Sequence, residues 1–322
     1  EFVQIMQALD LFTQMAQAQS IIVKPNFAGG SSEPVTSHAV TDPVLLQEVV
    51  CGIRAVHPTA IIYIAESDSA GRGFAFLKFA NLGIDCWQME NVKLLDLSRD
   101  RLCKVLPPSP KYFHPDSEPL CLSETLVYAD FVVSLANLKT HAVTKYTGAC
   151  KNLFGLLPKE DKYVYHTVLD EVIFDIVTSI RPSLSVVDGF RGMEQNGPIV
   201  GKPIDLGLRI FGCDPLLVDV IACHIIRVRY DRVRHLKLLA QGRVFPDFKN
   251  VPTHEVEYRV PTLAFSNYIG LKIQSLGYGV FMFGHRIHSA NTIIILILMA
   301  IRPILLRFVD LHTLKKWKKK VF

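Results

Sequence analysis

Residues 134–166, SLANLKTHAVTKYTGACKNLFGLLPKEDKYVYH, carry most of the chemistry that this sequence displays. The stretch opens with the end of a short apolar, β-branched run at 129–135, which is typical of a buried strand. Polar residues then follow, with glycines among them: Lys139, Thr140, His141, Thr144, Lys145, Thr147, Lys151 and Asn152. Ligands of open α/β sheets bind beyond the carboxyl ends of strands. The pattern therefore predicts a site for an anion or another polar ligand.

The same order of strand, polar strand end and helix recurs along the chain. Strands are predicted at 20–24, 60–65, 92–97 and 184–189, and helices at 1–19, 42–53, 74–79 and 167–180, with a proline-rich loop at 107–119. This alternation predicts an α/β fold, doubly wound, with a mainly parallel sheet and helices on both faces. Asp42 and Pro43 are expected to begin one helix, and Asp214 and Pro215 another.

The carboxyl ends of parallel strands meet at one edge of a sheet, here named the strand-end rim. The predicted strands end close to Lys24 and Asn26, Glu66 and Asp68, Lys139 and His141, and Asp188. We expect these side chains to line the rim. Gly29 and Gly30 would allow a ligand to approach the backbone closely, and the polar segment after the strand at 60–65 is also rich in glycine, at Gly71 and Gly73.

The composition changes near residue 256, which predicts an α/β domain at 1–255 and an apolar, helical, basic-ended extension at 256–322. Residues 293–301 form an apolar run of nine, whereas a membrane-spanning helix needs roughly 20. Two alternatives stand for residues 263–322. They pack on the body with a solvated basic tail, or they lie in the plane of a membrane with the lysines of 315–320 against anionic headgroups.

Charge and cysteine usage exclude some classes of function. The formal net charge is +5, but the segment from Arg286 onward holds eight basic residues and one acidic residue, Asp310. A basic face across the fold, as specific nucleic-acid binding requires, is therefore not predicted. The seven cysteines form no CxxC pair and no ferredoxin-type run. They predict a reducing, cytoplasmic location and no iron–sulfur ligands of the ferredoxin type. If residues 263–322 lie in the plane of a membrane, the protein would be cytoplasmic and peripheral at that membrane. The cofactor stays unknown.

Eight motifs, taken in this order, resemble the family named domain of unknown function 362 over residues 20–225. They are KPNF at 24–27, TDP at 41–43, NLKTH at 137–141, TGACKNLFG at 147–155, His166, VDG at 187–189, GMEQNGP at 192–198 and CDPLLVD at 213–219. Members of that family are often described as iron–sulfur or redox proteins, because many carry a fused ferredoxin-type segment that this chain lacks. A shorter likeness links the surroundings of Lys151 to the lysine loop of nickel-pincer lactate racemases. That likeness implies a cofactor-anchoring Lys151, with His141 and His166 as proton carriers.

Candidate site residues follow from the residue types and from this resemblance. The catalytic candidates are His141, His166 and Lys151. The substrate- or anion-binding candidates are Lys24, Asn26, Lys139, Thr140, Thr147, Asn152, Asp188 and Glu194. Glu66, Asp68 and Asp188 are carboxylates that could share a divalent cation.

Structural alternatives stay open for several of these residues. His141 could cap a turn, Asn26 could hold a turn and Asp188 could cap the glycine-containing loop that follows it. Glu194 is expected in a mobile loop that closes over a ligand. Cys150 is either a reactive thiolate or a small buried residue.

The leading hypothesis is an enzyme that acts on a small anionic substrate, with redox or racemase/isomerase-like chemistry. Lysines would bind the charge of the substrate, and a histidine would transfer a proton. The alternative is a non-catalytic ligand-binding or scaffold protein at a membrane surface, attached through residues 263–322.

Overall fold

The computed structural model describes residues 1–27, 38–69, 73–141, 143–160, 162–195, 197–199, 201–254 and 258. The predicted glycines at 29–30 and 71, and the extension at 256–322 apart from Tyr258, lie outside the described residues. The chain divides into two compact units, Glu1–Lys162 with Val168–Thr262, and Tyr163–Thr167 with Leu263–Phe322. Except for the end of one short helix, the elements described below belong to the first unit.

The strands of the described chain form one large sheet and one small one. In chain order they are β1 Ser20–Lys24, β2 Ile61–Glu66, β3 Val92–Asp96, β4 Leu102–Val105, β5 Leu120–Ser123, β6 Phe131–His141, β7 Lys145–Thr147, β8 Leu184–Glu194, β9 Lys202–Ile204 and β10 Arg209–Gly212. The large sheet has the order β10-β8-β6-β1-β2-β3, with β7 on β6 and β9 on β8. Strands β8, β6, β1, β2 and β3 are parallel, whereas β10, β7 and β9 pair antiparallel. The predicted mainly parallel sheet is confirmed.

The direction of winding reverses between β1 and β6. From β1 the chain adds β2 and then β3 on one side, and it later returns to place β6 and β8 on the other side. The last residue of β1, Lys24, pairs with Ser134 of β6. Open α/β sheets bind ligands in the crevice at such a topological switch point. The crevice between the carboxyl ends of β1 and β6 is therefore the place to search for a site.

Helices cover both faces of the large sheet, as predicted. The α-helices are α1 Phe2–Ala8, α2 Phe12–Gln17, α3 Pro43–Val56, α4 Phe74–Asn81, α5 Glu124–Val127, α6 Ala149–Asn152, α7 Leu169–Ser179, α8 Pro215–Ile225 and α9 Arg234–Leu239. Helices α1 to α4 bury one face in a core with alternate residues of β1, β2, β6 and β8, such as Ile21, Val23, Ile64 and Val133. On the other face α6 packs on β6, and α8 packs on β8 and β10.

Helix α3 illustrates how the sequence specifies this packing. The Asp42 carboxylate accepts a hydrogen bond from the Val44 N–H at 2.9 Å, and Pro43 occupies the first turn. The apolar stripe Leu45, Leu46, Val49, Val50 and Ile53 is buried. The predicted helix start is confirmed, and so is the predicted cap at Asp214, which accepts from the backbone of Leu216 and Leu217.

Two predictions about element length were wrong. The helix predicted at 1–19 is two helices, α1 and α2, and Asp10 between them has a φ of 55°. Strands β6 and β8 extend to His141 and Glu194, beyond the predicted ends at about 135 and 189. All eleven residues of β6 are buried, because its polar residues find partners inside the protein. In addition, β4 and β5 pair antiparallel on either side of the predicted loop at 107–119.

No helix among the described residues is both long enough and apolar enough to cross a membrane.

Candidate functional site

Strands β1 and β2 bring Lys24 and Glu66 together at the strand-end rim. Lys24 Nζ lies 3.0 Å from Glu66 Oε2, and both side chains are buried. The same amino group donates to the carbonyl oxygen of Pro25. Burial by itself raises the pKa of Glu66, but the nearby amino groups of Lys24, Lys78 and Lys162 hold that pKa below its ordinary value. Glu66 is therefore a buried carboxylate that stays ionised.

Lys139, on β6, is fully buried without a carboxylate partner among the described residues. Its Nζ donates to Asn26 Oδ1 at 3.1 Å and to the Ala39 carbonyl oxygen at 2.6 Å. Burial lowers the pKa of Lys139 well below its ordinary value, and the charges of Lys151, Lys78 and Lys24 lower it further. The crevice thus contains an amino group whose hydrogen-bond acceptors are neutral.

Lys162 reaches the same rim from the short 3-10 helix Lys162–Tyr165. Its Nζ donates to Ser67 Oγ, directly after β2, and lies 3.5 Å from the carbonyl oxygen of Gly155. The Ser67 hydroxyl in turn donates to that same carbonyl. Burial lowers the pKa of Lys162 to about 7, because the raising effect of Glu66 is outweighed by burial together with Lys24 and Lys78.

Two further lysines complete the group. Lys78 of α4 is buried, with its Nζ 4.5 Å from the ring centroid of Phe74. Lys151 of α6 keeps some exposure, with its Nζ 4.9 Å from the ring centroid of Phe154. Burial lowers the pKa of each of these lysines to about 8.

These five residues, here named the lysine cluster, are Lys24, Lys78, Lys139, Lys151 and Lys162. The charge of Lys24 lowers the pKa of each of the other four, which shows that they share one region. Among the described residues, Glu66 is the only carboxylate that lies within ion-pair distance of a member of the lysine cluster. From beyond ion-pair distance, Asp68 raises the pKa of Lys78 and Lys162, and Asp170 raises that of Lys151. Five lysines still exceed these three carboxylates, and an excess of cations favours an anionic ligand.

The carboxylates proposed for a metal are not brought together. Asp68 accepts from the backbone N–H groups of Gly73 and Ala75 at 2.8 and 2.9 Å, which caps the start of α4. Asp188 lies on β8, three strands away from β2, a separation of roughly 14 Å. It accepts from Arg209 Nε at 3.2 Å, and burial raises its pKa although Arg209 opposes that shift. No group of three or more metal-ligating side chains occurs among the described residues, so Glu66, Asp68 and Asp188 do not form a joint metal site.

Several predicted ligand residues hold the crevice together. Asn152 Nδ2 donates to the Lys24 carbonyl oxygen and to Ser134 Oγ, both at 3.1 Å, and so links β1 to β6. Asn26 accepts from Lys139, as described above, and its backbone N–H donates to Thr41 Oγ1 at 2.7 Å. These contacts shape the site, and they occupy the Nδ2 group of Asn152, a residue that was predicted to contact a ligand.

The strand extensions change the positions of three other candidates. His141 Nδ1 accepts from the backbone N–H groups of Val143 and Thr144 at 3.0 and 3.2 Å, so His141 caps a turn and Nε2 carries the ring proton of the neutral form. Thr140 Oγ1 donates to the Gln195 carbonyl oxygen at 2.9 Å. Glu194, predicted in a mobile loop, is the buried last residue of β8 and pairs with Lys202 of β9.

Thr147 is the candidate whose hydroxyl has no hydrogen-bond partner among the described residues. It lies directly opposite Lys139 in the antiparallel pair of β6 and β7. Its Oγ1 is buried, and it makes no hydrogen bond within the described chain. A buried hydroxyl without a partner costs free energy, and functional groups often explain such exceptions.

Asp219 organises the start of α6, the helix that carries Lys151. Its carboxylate accepts from the backbone N–H groups of Ala149 and Cys150 at 2.7 and 2.9 Å and from the Tyr146 hydroxyl at 3.0 Å. A side chain at Gly148 would collide with both Asp219 and Tyr146, which explains the glycine. Burial raises the pKa of the Cys150 thiol well above its ordinary value, so Cys150 is a buried small residue and not a reactive thiolate.

The structure adds Lys78, Lys162 and Ser67 to the site, which sequence reasoning missed. Lys78 has a signal in the sequence, because it interrupts the apolar helix segment FAFLKFA at 74–80. The surroundings of Lys162, PKEDK at 158–162, are those of a surface loop. His166 belongs to the second unit, and its role as a proton carrier stays a prediction.

Comparison with known proteins identifies relatives of this chain. A thylakoid-associated protein of the cyanobacterium Synechocystis is 33% identical over 116 residues, which cover 34% of this chain and 36% of that protein. The match thus spans about a third of the relative. The lactate racemase apoprotein of Thermoanaerobacterium thermosaccharolyticum is a structural neighbour with a TM-score of 0.44 and 14% identity, over 67% of this chain and 54% of that one. A protein of Thermotoga maritima has a TM-score of 0.40 and 12% identity, over 69% of this chain and 58% of that one.

The family model described as domain of unknown function 362 matches residues 21–224, a range that contains every member of the lysine cluster. Because this match covers more than half of the chain, the protein belongs to the domain of unknown function 362 family.

Proposed function

We propose that the crevice between β1 and β6 binds a small anion, a carboxylate or a phosphate, and that the protein is an enzyme acting on it. The observation that carries this proposal is the lysine cluster at the topological switch point. Among the described residues, Lys78, Lys139, Lys151 and Lys162 have no carboxylate at ion-pair distance, and Thr147 offers an unused hydroxyl beside Lys139. An anionic ligand would supply both the missing counter-charge and the missing hydrogen bond.

Calorimetric titration with sulfate and with propionate tests the site. We expect Lys139→Met to weaken sulfate binding at least tenfold, about 1.4 kcal/mol. The matched control is Lys159→Met, because Lys159 is a half-exposed lysine that pairs with Glu118. Equal affinities of wild type and Lys139→Met, or equal losses in both variants, would contradict an anion site at Lys139.

The stability of the same variants separates a binding role from a structural one. Lys139 is buried against neutral acceptors and its pKa lies well below its ordinary value, so replacing it with methionine removes the cost of burying an ammonium group. We expect Lys139→Met to unfold at an equal or higher urea concentration while it loses affinity. A parallel loss of stability and affinity would instead indicate that Lys139 only supports the fold.

The proposed chemistry is acid–base transfer on the bound anion, of the isomerase or redox type. His141, at the end of β6, is the candidate for this proton transfer, and its ring is oriented by the two backbone N–H groups that donate to Nδ1. Loss of carbon-bound hydrogen from small 2-hydroxy and 2-oxo acids in D2O, followed by NMR, would report the reaction. His141→Gln keeps an acceptor for the turn but has no titratable group, so exchange that continues unchanged in it would exclude His141.

Membrane attachment is the second candidate, favoured by the name of the thylakoid-associated relative. The basic residues at 315–320 would meet anionic headgroups. Flotation of the full chain with anionic and with neutral liposomes tests this, beside a variant in which these lysines are replaced by glutamine. Equal flotation of both proteins would exclude the basic segment as the attachment site.

A further inference from the structure

Lys162 differs from the other members of the lysine cluster in what surrounds its amino group. Lys24 is held by Glu66, and Lys139 is held by two neutral oxygen acceptors. Lys78 and Lys151 lie over aromatic rings, an arrangement that favours the charged ammonium form. Lys162, like Lys139, contacts two neutral oxygens, the Ser67 hydroxyl and the Gly155 carbonyl oxygen, but one of them is a hydroxyl, which can relay a proton as the amide and carbonyl oxygens beside Lys139 cannot.

These contacts suit a neutral amine. An uncharged amine has two hydrogens and one lone pair, and its two hydrogens can satisfy Ser67 Oγ and the Gly155 carbonyl oxygen. No described residue donates a hydrogen bond to the lone pair. Its pKa of about 7, set by burial beside Lys24 and Lys78, keeps a large fraction uncharged at neutral pH. Desolvation next to another cation is the usual way in which a lysine becomes a nucleophile.

We propose that Lys162 is a nucleophilic amine that forms an imine with the carbonyl carbon of a small oxo acid, whose carboxylate the other lysines bind. The inference rests on the anion site proposed above, and it names the substrate class as carboxylates that bear an aldehyde or a ketone. Carbonyl groups react with neutral amines, and the neighbouring cations hold the negatively charged end of the same molecule.

The step balances without an oxidant or a reductant. The Nζ lone pair adds to the carbonyl carbon, and a proton passes from nitrogen to the carbonyl oxygen to give a carbinolamine. Loss of water then forms the carbon–nitrogen double bond, and the water carries the carbonyl oxygen and both amine hydrogens. Ser67 Oγ accepts a hydrogen bond from Nζ and can relay this proton to the carbonyl oxygen.

Reductive trapping tests the proposal. The full chain is incubated with pyruvate near neutral pH and reduced with borohydride, and the product is analysed by intact mass and peptide mapping. We expect a single pyruvate-derived adduct on the peptide that contains Lys162. Lys159→Arg should be labelled like the wild type, because Lys159 is a half-exposed lysine nearby in sequence. Lys162→Arg should not be labelled, because its guanidinium stays protonated and is not a nucleophilic amine.

Label spread over surface lysines, Lys159 included, or unchanged labelling of Lys162→Arg would overturn the proposal. The pH dependence of trapping in the wild type gives a test that needs no variant. The initial rate should rise through pH 7 and level off, following the pKa of about 7, whereas an ordinary lysine has a pKa of 10.5. A rate that still increases steeply at about pH 9 would also overturn it.

Propionate separates this proposal from the anion site on which it rests, because propionate carries the carboxylate but no carbonyl. If the protein binds propionate but pyruvate is not trapped, the imine proposal is contradicted and the anion site still stands. If the protein neither binds propionate nor traps pyruvate, both proposals are contradicted.

Discussion

Lys24 Nζ and Glu66 Oε2 lie 3.0 Å apart at the ends of adjacent parallel strands, and both side chains are buried. This ion pair fixes the amino group around which the other four members of the lysine cluster are gathered. It also supplies the ionised carboxylate that limits the repulsion among them.

Replacing Glu66 with glutamine should therefore destabilise the protein and strengthen anion binding. Lys24 would stay buried without its counter-charge, and breaking one partner of a buried pair costs about 3–5 kcal/mol. Removal of the negative charge would raise the affinity for sulfate. Urea unfolding and calorimetry measure the two effects.

The matched control for that variant is Glu118→Gln, which breaks the half-exposed pair of Lys159 and Glu118. It should cost less than about 1 kcal/mol. Similar stability losses in the two variants would show that burial of the Lys24–Glu66 pair does not matter in solution.

Thr147→Val removes the buried hydroxyl that has no partner within the described chain. Valine has nearly the same shape, so the unliganded protein should gain up to about 1–3 kcal/mol of stability. Sulfate affinity should fall, because the ligand loses a hydrogen bond beside Lys139. Increased stability with unchanged affinity would show that the hydroxyl does not serve the ligand.

Gly155→Ala tests the close approach of the loop to the ion pair. An added Cβ would lie 2.8 Å from Lys24 Nζ and 3.4 Å from Glu66 Oε1. Because both groups are held in place, we expect lower thermal stability and a weaker sulfate site. The control is Gly242→Ala, whose Cβ would have no neighbour within 4 Å, although its φ of 73° adds local strain. Its sulfate affinity should match the wild type.

Stability should increase with pH above neutrality. The pKa of Lys162 is about 7 and that of Lys78 about 8 in the folded protein, against 10.5 for an ordinary lysine, so the unfolded chain binds more protons between these values. Each group adds at most about 1.4 kcal/mol per pH unit in that window. Urea unfolding at a series of pH values measures the slope, and Lys162→Met should reduce it. A flat profile in the wild type would contradict the lowered pKa values.

The lowered pKa of Glu66 predicts how the folding stability depends on pH in the acid range. It is lowered from 4.5, so its contribution is present above that value and is lost as the pH falls through the lower, folded-state pKa. Glu66→Gln should lack this loss of stability in acid. If the wild type and Glu66→Gln lose the same stability in acid, other carboxylates cause that loss.

Anion binding should be accompanied by proton uptake. A bound sulfate would favour the charged form of Lys162, Lys78 and Lys151, whose pKa values lie at about 7 to 8. At about pH 8, the binding enthalpy should therefore depend on the ionisation enthalpy of the buffer. Lys162→Met should take up fewer protons. Equal enthalpies in all buffers would mean that the bound anion does not contact these amines.

The fold was largely predictable because its strands and caps are local features. The apolar runs at β1, β2 and β3 and the Asp42 cap each carry their own signal. The full length of β6 was not predictable from local composition, because a buried lysine and asparagine depend on partners far along the chain. Asn137 donates to the Val40 carbonyl oxygen, and Lys139 donates to that of Ala39.

The site was predictable where a polar residue follows an apolar run, as Lys24 does. It was not predictable where only tertiary packing buries the side chain. Lys162 follows PKED in the sequence, which is typical of a solvated loop, yet its amino group lies beside Ser67 from the end of β2. Asn152 was expected to contact a ligand, but its position between β1 and β6 became visible only with the sheet order.

The switch-point crevice also has a consequence for how quickly the chain folds. Strands β1 and β6 are adjacent in space, yet the chain forms β2 to β5 between them, so Lys24 and Lys139 meet only when this long-range pairing closes. Long-range pairing is slow, and here closure also brings like charges together. We therefore expect refolding to be faster in sulfate than in chloride of equal ionic strength, since a divalent anion can occupy the crevice as it forms.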